Sequence, residues 1–299
     1  MLSATAFLQQ MIPLYLMVLI GFFGRKFGIL HEKASETITQ LLLYITLPLL
    51  ILFSLNTSIT QEMMVEFFWL VSMSLFIITA SVLFAAWLRK IANLPKHQKT
   101  VYESLIIFGN QGFIGFAIIY IIMSDVGIRY ITLFNICYLF LIWSYGIYLF
   151  TKKKNAVNWK LLFLNPGVLS TALGTFILFT PFEWPKLMND TFETVGKMTI
   201  PLSMILIGCL LAEIKRTQLE TYVKNIYIWI AAISRLCIIP LFLFIFILFD
   251  VPYPLLVVAV ITSALPSSST VSIYSQKFGG DASFGSVGVI ITSIVCVAT

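Results

Sequence analysis

Residues 108–115 read Phe108-Gly109-Asn110-Gln111-Gly112-Phe113-Ile114-Gly115 and lie within a long apolar run. Three glycines and two amides make this a poor helix, because each Gly costs about 1 kcal/mol of helix propensity relative to Ala. A second apolar run contains Ser263-Ala264-Leu265-Pro266-Ser267-Ser268-Ser269-Thr270. Pro266 removes a backbone donor there, and four hydroxyl residues follow it. Both runs are therefore predicted to be broken helices.

The composition around these breaks indicates a membrane protein. Of 299 residues, 59% are hydrophobic and only 11% are charged, whereas a soluble domain carries about 25% charged residues. Because a helix needs about 20 mostly apolar residues to span a bilayer, nearly the whole chain reads as spanning segments. The runs are continuous rather than alternating, which disfavours an outer-membrane barrel. The prediction is an all-α integral membrane protein with a single transmembrane domain over residues 1–299.

Apolar runs bounded by charge, Gly or Pro predict ten transmembrane helices. Fifteen of the nineteen Lys and Arg residues fall in the odd-numbered loops between them, whereas three, Arg129, Lys186 and Lys197, lie in the even-numbered loops or in the adjoining parts of the runs. Because cytoplasmic loops are enriched in Lys and Arg, we expect a multi-pass protein of the cell membrane with both termini outside. The runs are 6–24, 35–55, 64–88, 101–123, 129–150, 162–180, 191–212, 225–249, 253–275 and 282–299.

The remaining signals argue against several other classes of protein. The net charge of +6 is dispersed over short loops, so we expect no nucleic-acid partner and a lipid bilayer as the surroundings. The four cysteines lack CxxC spacing, which supports neither a metal site nor a disulfide framework. The serines at 267–269 have no histidine base within a membrane helix. The sequence therefore predicts neither enzyme activity nor a cofactor.

Matching prolines indicate an internal repeat. Two pairs of prolines are each 153 residues apart, which is an offset of five predicted helices. An odd number of helices inverts the second half relative to the first, as in many secondary transporters. We expect repeat 1 at about 1–151 and repeat 2 at about 160–299, with kinks or hinges at the second pair. The pairs are Pro13 with Pro166 and Pro48 with Pro201.

Paired breaks in corresponding helices are the best sequence indication of a binding site at the bilayer midplane. Unwound backbone at that depth must line a cavity or be buried in protein. Each following half-helix begins with unpaired N–H groups, which suit an anion. The alternative is that small residues merely let helices pack closely. The candidate substrate-binding residues are Gly109, Asn110, Gln111, Gly112, Pro266, Ser267 and Ser268, and Gly115 is a further helix-breaking residue.

Arg235 is the clearest ionisable residue inside a predicted span, where a charge is costly. It is expected to contact an anionic substrate, to cap carbonyls of a broken helix, or to snorkel to the cytoplasmic surface. Glu103 lies near a cytoplasmic helix end, where we expect a solvated or snorkelling side chain. No Asp or Glu lies clearly at mid-span. This weakens the interpretation as a sodium/proton exchanger and leaves the coupling ion, H⁺ or Na⁺, open.

Three groups of motifs follow one another along the chain: residues 109–115, Thr-Ile-Pro-Leu-Ser at 199–203 with Ile207-Gly208, and Ala264-Leu265-Pro266 leading to Tyr274 and Gly279-Gly280-Asp281. These motifs resemble the auxin efflux carrier family, which includes plant auxin exporters and bacterial permeases for malate, malonate and related acids. The resemblance implies ten helices in two inverted five-helix repeats, with broken fourth and ninth helices that cross, as in sodium/proton antiporters. It also implies elevator-type alternating access and often a homodimer.

The resemblance also implies roles for single residues. Asn110 and Pro266 match crossover positions, and Asn135 in the fifth helix resembles a family asparagine near the substrate. The family often has a proline where this chain has Gly115-Phe116-Ala117, so glycines must break the fourth helix alone. The short loop between helices five and six resembles bacterial permeases more than plant auxin exporters.

The leading hypothesis is a secondary transporter that moves small organic (carboxylate) anions across the cytoplasmic membrane. A sodium-coupled carrier of a sterol acid or an inorganic ion is the alternative on the same fold. A membrane enzyme is disfavoured because no mid-span His or Asp pair is visible. A channel is disfavoured because an inverted repeat with two broken helices favours alternating access.

Overall fold

The computed structural model describes residues 4–56, 61–151, 164–212, 220 and 222–296, and nearly all of them are helical. Helices suit a bilayer because they pair their backbone polar groups internally. They are α1 (Ala4–Lys26), α2 (Glu32–Leu41), α3 (Leu47–Ser54), α4 (Gln61–Ile91), α5 (Lys96–Ile107), α6 (Phe116–Thr151), α7 (Pro166–Leu178), α8 (Lys186–Lys197), α9 (Thr199–Ala212), α10 (Ile226–Ile233), α11 (Ile239–Leu241), α12 (Tyr253–Ser263), α13 (Ser269–Phe278) and α14 (Ala282–Cys296).

Among the residues that the structure describes, five helical segments are long and apolar enough to cross a membrane. Three shorter apolar helices accompany them, namely α7, α12 and α14. The described part of the chain therefore confirms a helical protein with several membrane-spanning segments. The count of ten helices and the inverted repeat stay predictions. The five long segments are Lys33–Ser54, Met63–Ile91, Phe116–Thr151, Lys186–Cys209 and Ile226–Phe249.

Several of these segments change helical pitch along their length. Wide π turns occupy Leu42–Thr46, Gln111–Gly115 and Ser234–Ile238, and a 3₁₀ stretch follows at Phe242–Phe249. Pro48 is the second residue of α3, directly after the first π turn. A proline lacks the N–H that would pair with the carbonyl four residues earlier, and prolines and π turns are both places where helices bend. Pro201 lies near the start of α9, after a turn at Met198.

Within the range of α6, Ser124 has a non-helical backbone conformation. Its φ of 51° and ψ of −140° are non-helical, and holding a serine at positive φ costs about 1–3 kcal/mol. This residue separates α6 into two helical parts. The interruption falls at the boundary that the sequence predicts between the runs 101–123 and 129–150.

The chain forms two compact units, each assembled from three stretches. Unit 1 contains residues 1–65, 112–132 and 163–214, and unit 2 contains residues 66–111, 133–162 and 215–299. Within unit 1, α1 packs closely on α9, because Gly21 and Gly208 leave no space for a Cβ against the facing backbone. Such small-residue contacts are typical of helix pairs in membranes.

Candidate functional site

Both predicted breaks are present, and they lie against each other in unit 2. Helical structure stops at Ile107 and again at Ser263, and α13 restarts it at Ser269. We call residues 108–110 and 264–268 the paired breaks. Gly109 and Ser267 form an isolated antiparallel bridge between them.

Two backbone hydrogen bonds hold the paired breaks together. The Asn110 N–H donates to the Pro266 carbonyl at 2.7 Å, and the Ser268 N–H donates to the Phe108 carbonyl at 2.8 Å. The unwound backbone is thereby satisfied inside the protein, as its apolar surroundings require.

Arg235 lies in the π turn Ser234–Ile238 and is only 2% exposed. Its Nε donates to the Leu265 carbonyl at 3.0 Å, and its Nη1 donates to the Ile107 carbonyl at 3.2 Å. Ile107 ends α5, and Leu265 lies just past the end of α12. Helix ends of this kind carry unpaired carbonyls and partial negative charge. One guanidinium therefore caps both breaks, and the snorkelling alternative is wrong.

The charge of Arg235 is not balanced within the described residues. Their ion pairs, at up to 4.0 Å between nitrogen and oxygen, do not involve this guanidinium. Its Nη2 is buried without a hydrogen-bond partner. Gly109 lies directly beside it, and a Cβ at this position would overlap the guanidinium. The absence of a side chain at Gly109 is thus what admits Arg235 to the site.

Three further side chains complete the hydrogen bonding of the paired breaks. The Tyr138 hydroxyl donates to the Gly109 carbonyl at 2.6 Å. The Ser267 hydroxyl donates to the Leu105 carbonyl at 2.7 Å, and the Thr292 hydroxyl accepts from the Ser267 N–H at 3.1 Å. Sequence reasoning missed Tyr138 and Thr292, because nothing in their spacing indicates which backbone groups they meet.

The predicted amides are buried in unit 2, and two of them have unsatisfied oxygens. Asn110, Gln111 and Asn135 are all about as buried as core residues, with Gln111 and Asn135 each 4% exposed. The Gln111 Oε1 and the Asn135 Oδ1 have no hydrogen-bond partner. Because an unsatisfied buried polar group costs about 1–3 kcal/mol, these atoms are candidates for completion by a ligand or by water.

The remaining predicted residues are already engaged in local structure. The Ser268 hydroxyl accepts from the Thr270 N–H at 3.2 Å and so caps the start of α13. Gly112 and Gly115 lie in the π turn that follows the first break. Among the residues that the structure describes, no group of His, Cys, Asp and Glu is arranged to hold a metal ion.

Glu103 corrects one sequence expectation. It lies on α5, one turn before the first break, and is only 1% exposed. Its Oε2 lies 2.7 Å from the Arg89 Nη1, and its Oε1 accepts from the Tyr145 hydroxyl at 3.3 Å. The expectation of a solvated or snorkelling carboxylate is therefore wrong. The physical reason is a basic partner on the neighbouring helix α4, which compensates for the burial of the charge.

Asp281, the last residue of the Gly-Gly-Asp motif, joins three segments of unit 2. Its carboxylate accepts from the Phe284 N–H at 2.9 Å, which caps α14, and from the Gln98 side chain at 2.9 Å. It also accepts from the Tyr222 hydroxyl at 3.1 Å. Burial, and then this hydrogen bond and the nearby negative charge, raise the pKa of the Tyr222 phenol. Asp281 thus has a structural role at the ends of these helices.

Comparison with known proteins identifies the family. A profile described as "Membrane transport protein" matches residues 6–159 and 155–299. The chain belongs to the auxin efflux carrier family of membrane transport proteins. The family predicted from the motifs is thereby confirmed.

A curated relative agrees with this membership. An uncharacterized transporter of Methanocaldococcus jannaschii is 22% identical over 201 residues. The match covers 64% of this chain and 65% of that relative, so it spans slightly less than two thirds of the relative's length. The relative's description as a transporter agrees with the description of the family profile that this chain matches.

Proposed function

We propose that this carrier is a secondary transporter for small organic carboxylate anions, which bind beside the paired breaks. The observation that carries the proposal is the buried Arg235 guanidinium, whose Nη2 is unpartnered and whose charge has no carboxylate counterpart among the described residues. A buried charge without a partner is strongly unfavourable. An anion that reaches the guanidinium would relieve this cost, and a carboxylate matches its geometry.

The surroundings of Arg235 support an anionic ligand. The half-helix α13 begins at the second break, and helix N-termini carry partial positive charge. Asn110, Gln111 and Asn135 add buried amides, whose NH₂ groups are hydrogen-bond donors. Unit 2 contains Arg235, these amides and both breaks. We therefore assign unit 2 as the substrate-carrying part of an elevator-type carrier in the cell membrane.

The proposed architecture is two inverted five-helix repeats with both termini outside. One contact supports the repeat. The Thr199 hydroxyl donates to the Thr46 hydroxyl at 2.9 Å, and these two threonines each lie two residues before the matched prolines Pro201 and Pro48. Residues related by a two-fold axis meet each other only when they lie close to that axis. A homodimer is a further proposal, which rests on the family resemblance alone.

A sodium-coupled carrier on the same fold is the second candidate. The unpartnered oxygens of Gln111 and Asn135 favour it, because hard cations prefer oxygen ligands. In this case the charge of the ion, rather than Arg235 alone, would balance the substrate.

The test is thermal stabilisation of the purified protein by a panel of monocarboxylates and dicarboxylates, each with and without sodium. A ligand that binds only the folded state stabilises it by about 2.7 kcal/mol at one hundred times its Kd. We expect one acid to raise the melting temperature selectively in the wild type. The control variant Arg129→Gln, which removes an arginine of unit 1, should show the same shift. Shifts only for neutral or cationic compounds would overturn the function and leave the fold.

A further inference from the structure

The arrangement of carbonyls at the paired breaks bears on the coupling ion. In transporters with broken helices, unwound carbonyls and the C-terminal ends of half-helices are the groups that coordinate a coupling cation. The corresponding groups here are the carbonyls of Ile107 and Leu265. Both accept hydrogen bonds from Arg235, at 3.2 Å and 3.0 Å.

The neighbouring carbonyls are also occupied. The Phe108 carbonyl accepts from the Ser268 N–H, and the Pro266 carbonyl accepts from the Asn110 N–H. The Gly109 carbonyl accepts from Tyr138. A sodium ion at this place would have to displace these donors and approach a buried guanidinium of like charge.

We propose that Arg235 is a resident cation at the paired breaks. Its guanidinium holds the place and the charge that a coupling sodium ion would supply, and substrate binding therefore requires no sodium. The inference rests on the proposed function, because it concerns how the carrier balances the charge of a carboxylate. Arg235 has two tasks in this arrangement. Nε and Nη1 hold the breaks, while Nη2 faces no protein acceptor and remains for the anion.

Arginine suits these two tasks better than lysine does. A planar guanidinium presents several N–H groups in fixed directions, so one side chain can bridge two carbonyls and still offer a further donor. An ammonium group is a single point charge. We therefore expect Arg235→Lys to keep the sodium independence and to bind the carboxylate more weakly than the wild type.

The experiment measures the Kd of the carboxylate identified by thermal stabilisation, using purified protein in sodium chloride and in choline chloride. We expect the same Kd for the wild type in both salts. Arg235→Ala is expected to weaken binding by about 100-fold in choline, since removing one partner of a buried charge pair has effects of this size. Free guanidinium at low millimolar concentration should restore part of the affinity, whereas urea, which is similar in shape and neutral, should not.

The outcomes separate this inference from the proposed function. A wild-type Kd that requires sodium overturns the resident cation and leaves the carboxylate carrier intact. Wild-type protein that binds no carboxylate in either salt overturns the proposed function itself. Arg235→Ala that folds but regains nothing with guanidinium reduces Arg235 to a structural role. If that variant does not fold, the resident-cation proposal is tested by the Kd values of the wild type and of Arg235→Lys in the two salts. Arg129→Gln is the matched control for the loss of one positive charge.

Discussion

The two breaks in unit 2 are built from different chemistry. The first, at 108–110, contains no proline and depends on groups elsewhere in the chain. Arg235 donates a hydrogen bond to the carbonyl of Ile107, the last residue of α5, and Tyr138 donates one to the Gly109 carbonyl. The second, at 264–268, carries Pro266, which cannot donate to a helix. It also supplies its own cap to α13 through Ser268. Both breaks receive tertiary hydrogen bonds, since Arg235 also donates to the Leu265 carbonyl and Thr292 accepts from the Ser267 N–H. The difference is that the second break adds a proline and a cap from its own sequence, whereas the first depends on tertiary contacts and on glycine.

The substitution Gly109→Ala should have the largest effect, because it disrupts the contact between residue 109 and Arg235, on which the first break depends. The added Cβ overlaps the Arg235 guanidinium, and overpacking of this kind costs about 1–3 kcal/mol. We expect uptake into proteoliposomes to be lost and the melting temperature to fall. Gly112→Ala is the control for stability, since its Cβ would meet only the Leu47 side chain at 4.0 Å. Normal uptake by Gly109→Ala would show that the first break does not need Arg235.

The substitution Pro266→Ala tests the second break. It restores a backbone N–H and removes the proline ring, which lowers the cost of helix at this position by about 3 kcal/mol. We expect strongly reduced uptake, with membrane insertion intact and a smaller loss of stability than for Gly109→Ala. Uptake measured beside the amount of protein in the membrane separates these effects. Wild-type uptake by this variant would mean that the local sequence does not maintain the second break.

The substitution Tyr138→Phe removes one donor from the first break. The Gly109 carbonyl then loses its 2.6 Å hydrogen bond in a buried place, which costs about 1–3 kcal/mol. We expect a moderate fall in melting temperature and weaker substrate binding. The measurement is thermal unfolding with and without the carboxylate. An unchanged melting temperature would show that this carbonyl has another donor available.

The substitution Ser268→Ala should have the smallest effect. Removing an N-cap side chain costs about 1 kcal/mol, while Pro266 and the Ser268 backbone N–H remain in place. A small drop in melting temperature with substantial remaining uptake is the expected result. Complete loss of uptake would assign the Ser268 hydroxyl a direct contact with the substrate, and the second break would then resemble the first in its dependence on single side chains.

The apolar runs and the two breaks could be predicted from the sequence, because both depend on local properties of the chain. Long continuous runs of apolar residues indicate spans, and Gly109 or Pro266 disfavours a helix wherever the chain lies in space. The choice among three roles for Arg235 could not be made, since it depends on the carbonyls of Ile107 and Leu265, which are distant in sequence. Glu103 was misjudged for the same reason, because its partner Arg89 lies on another helix.

Some irregularities carry no sequence signal of this kind. Ser124 adopts positive φ. Serine is not among the residues that favour positive φ, such as glycine and asparagine, so its backbone preference would not predict this conformation. The π turns at 42–46 and 234–238 are each followed by a proline, Pro48 and Pro240, but no residue inside either turn specifies its wider pitch. Tertiary packing determines such features, and packing is what a single sequence expresses least directly.

The contact between Gly109 and Arg235 has a consequence for the evolution of the family. A chain that acquires a larger residue at 109 has no space for the guanidinium, and a chain that loses the arginine no longer needs a glycine there. Across related carriers, the residues at these two positions should therefore change together. Such paired changes would divide the family into two groups. One group has arginine at the position of Arg235 and glycine at the position of Gly109, and in the other the space of the guanidinium is open to an ion from solution.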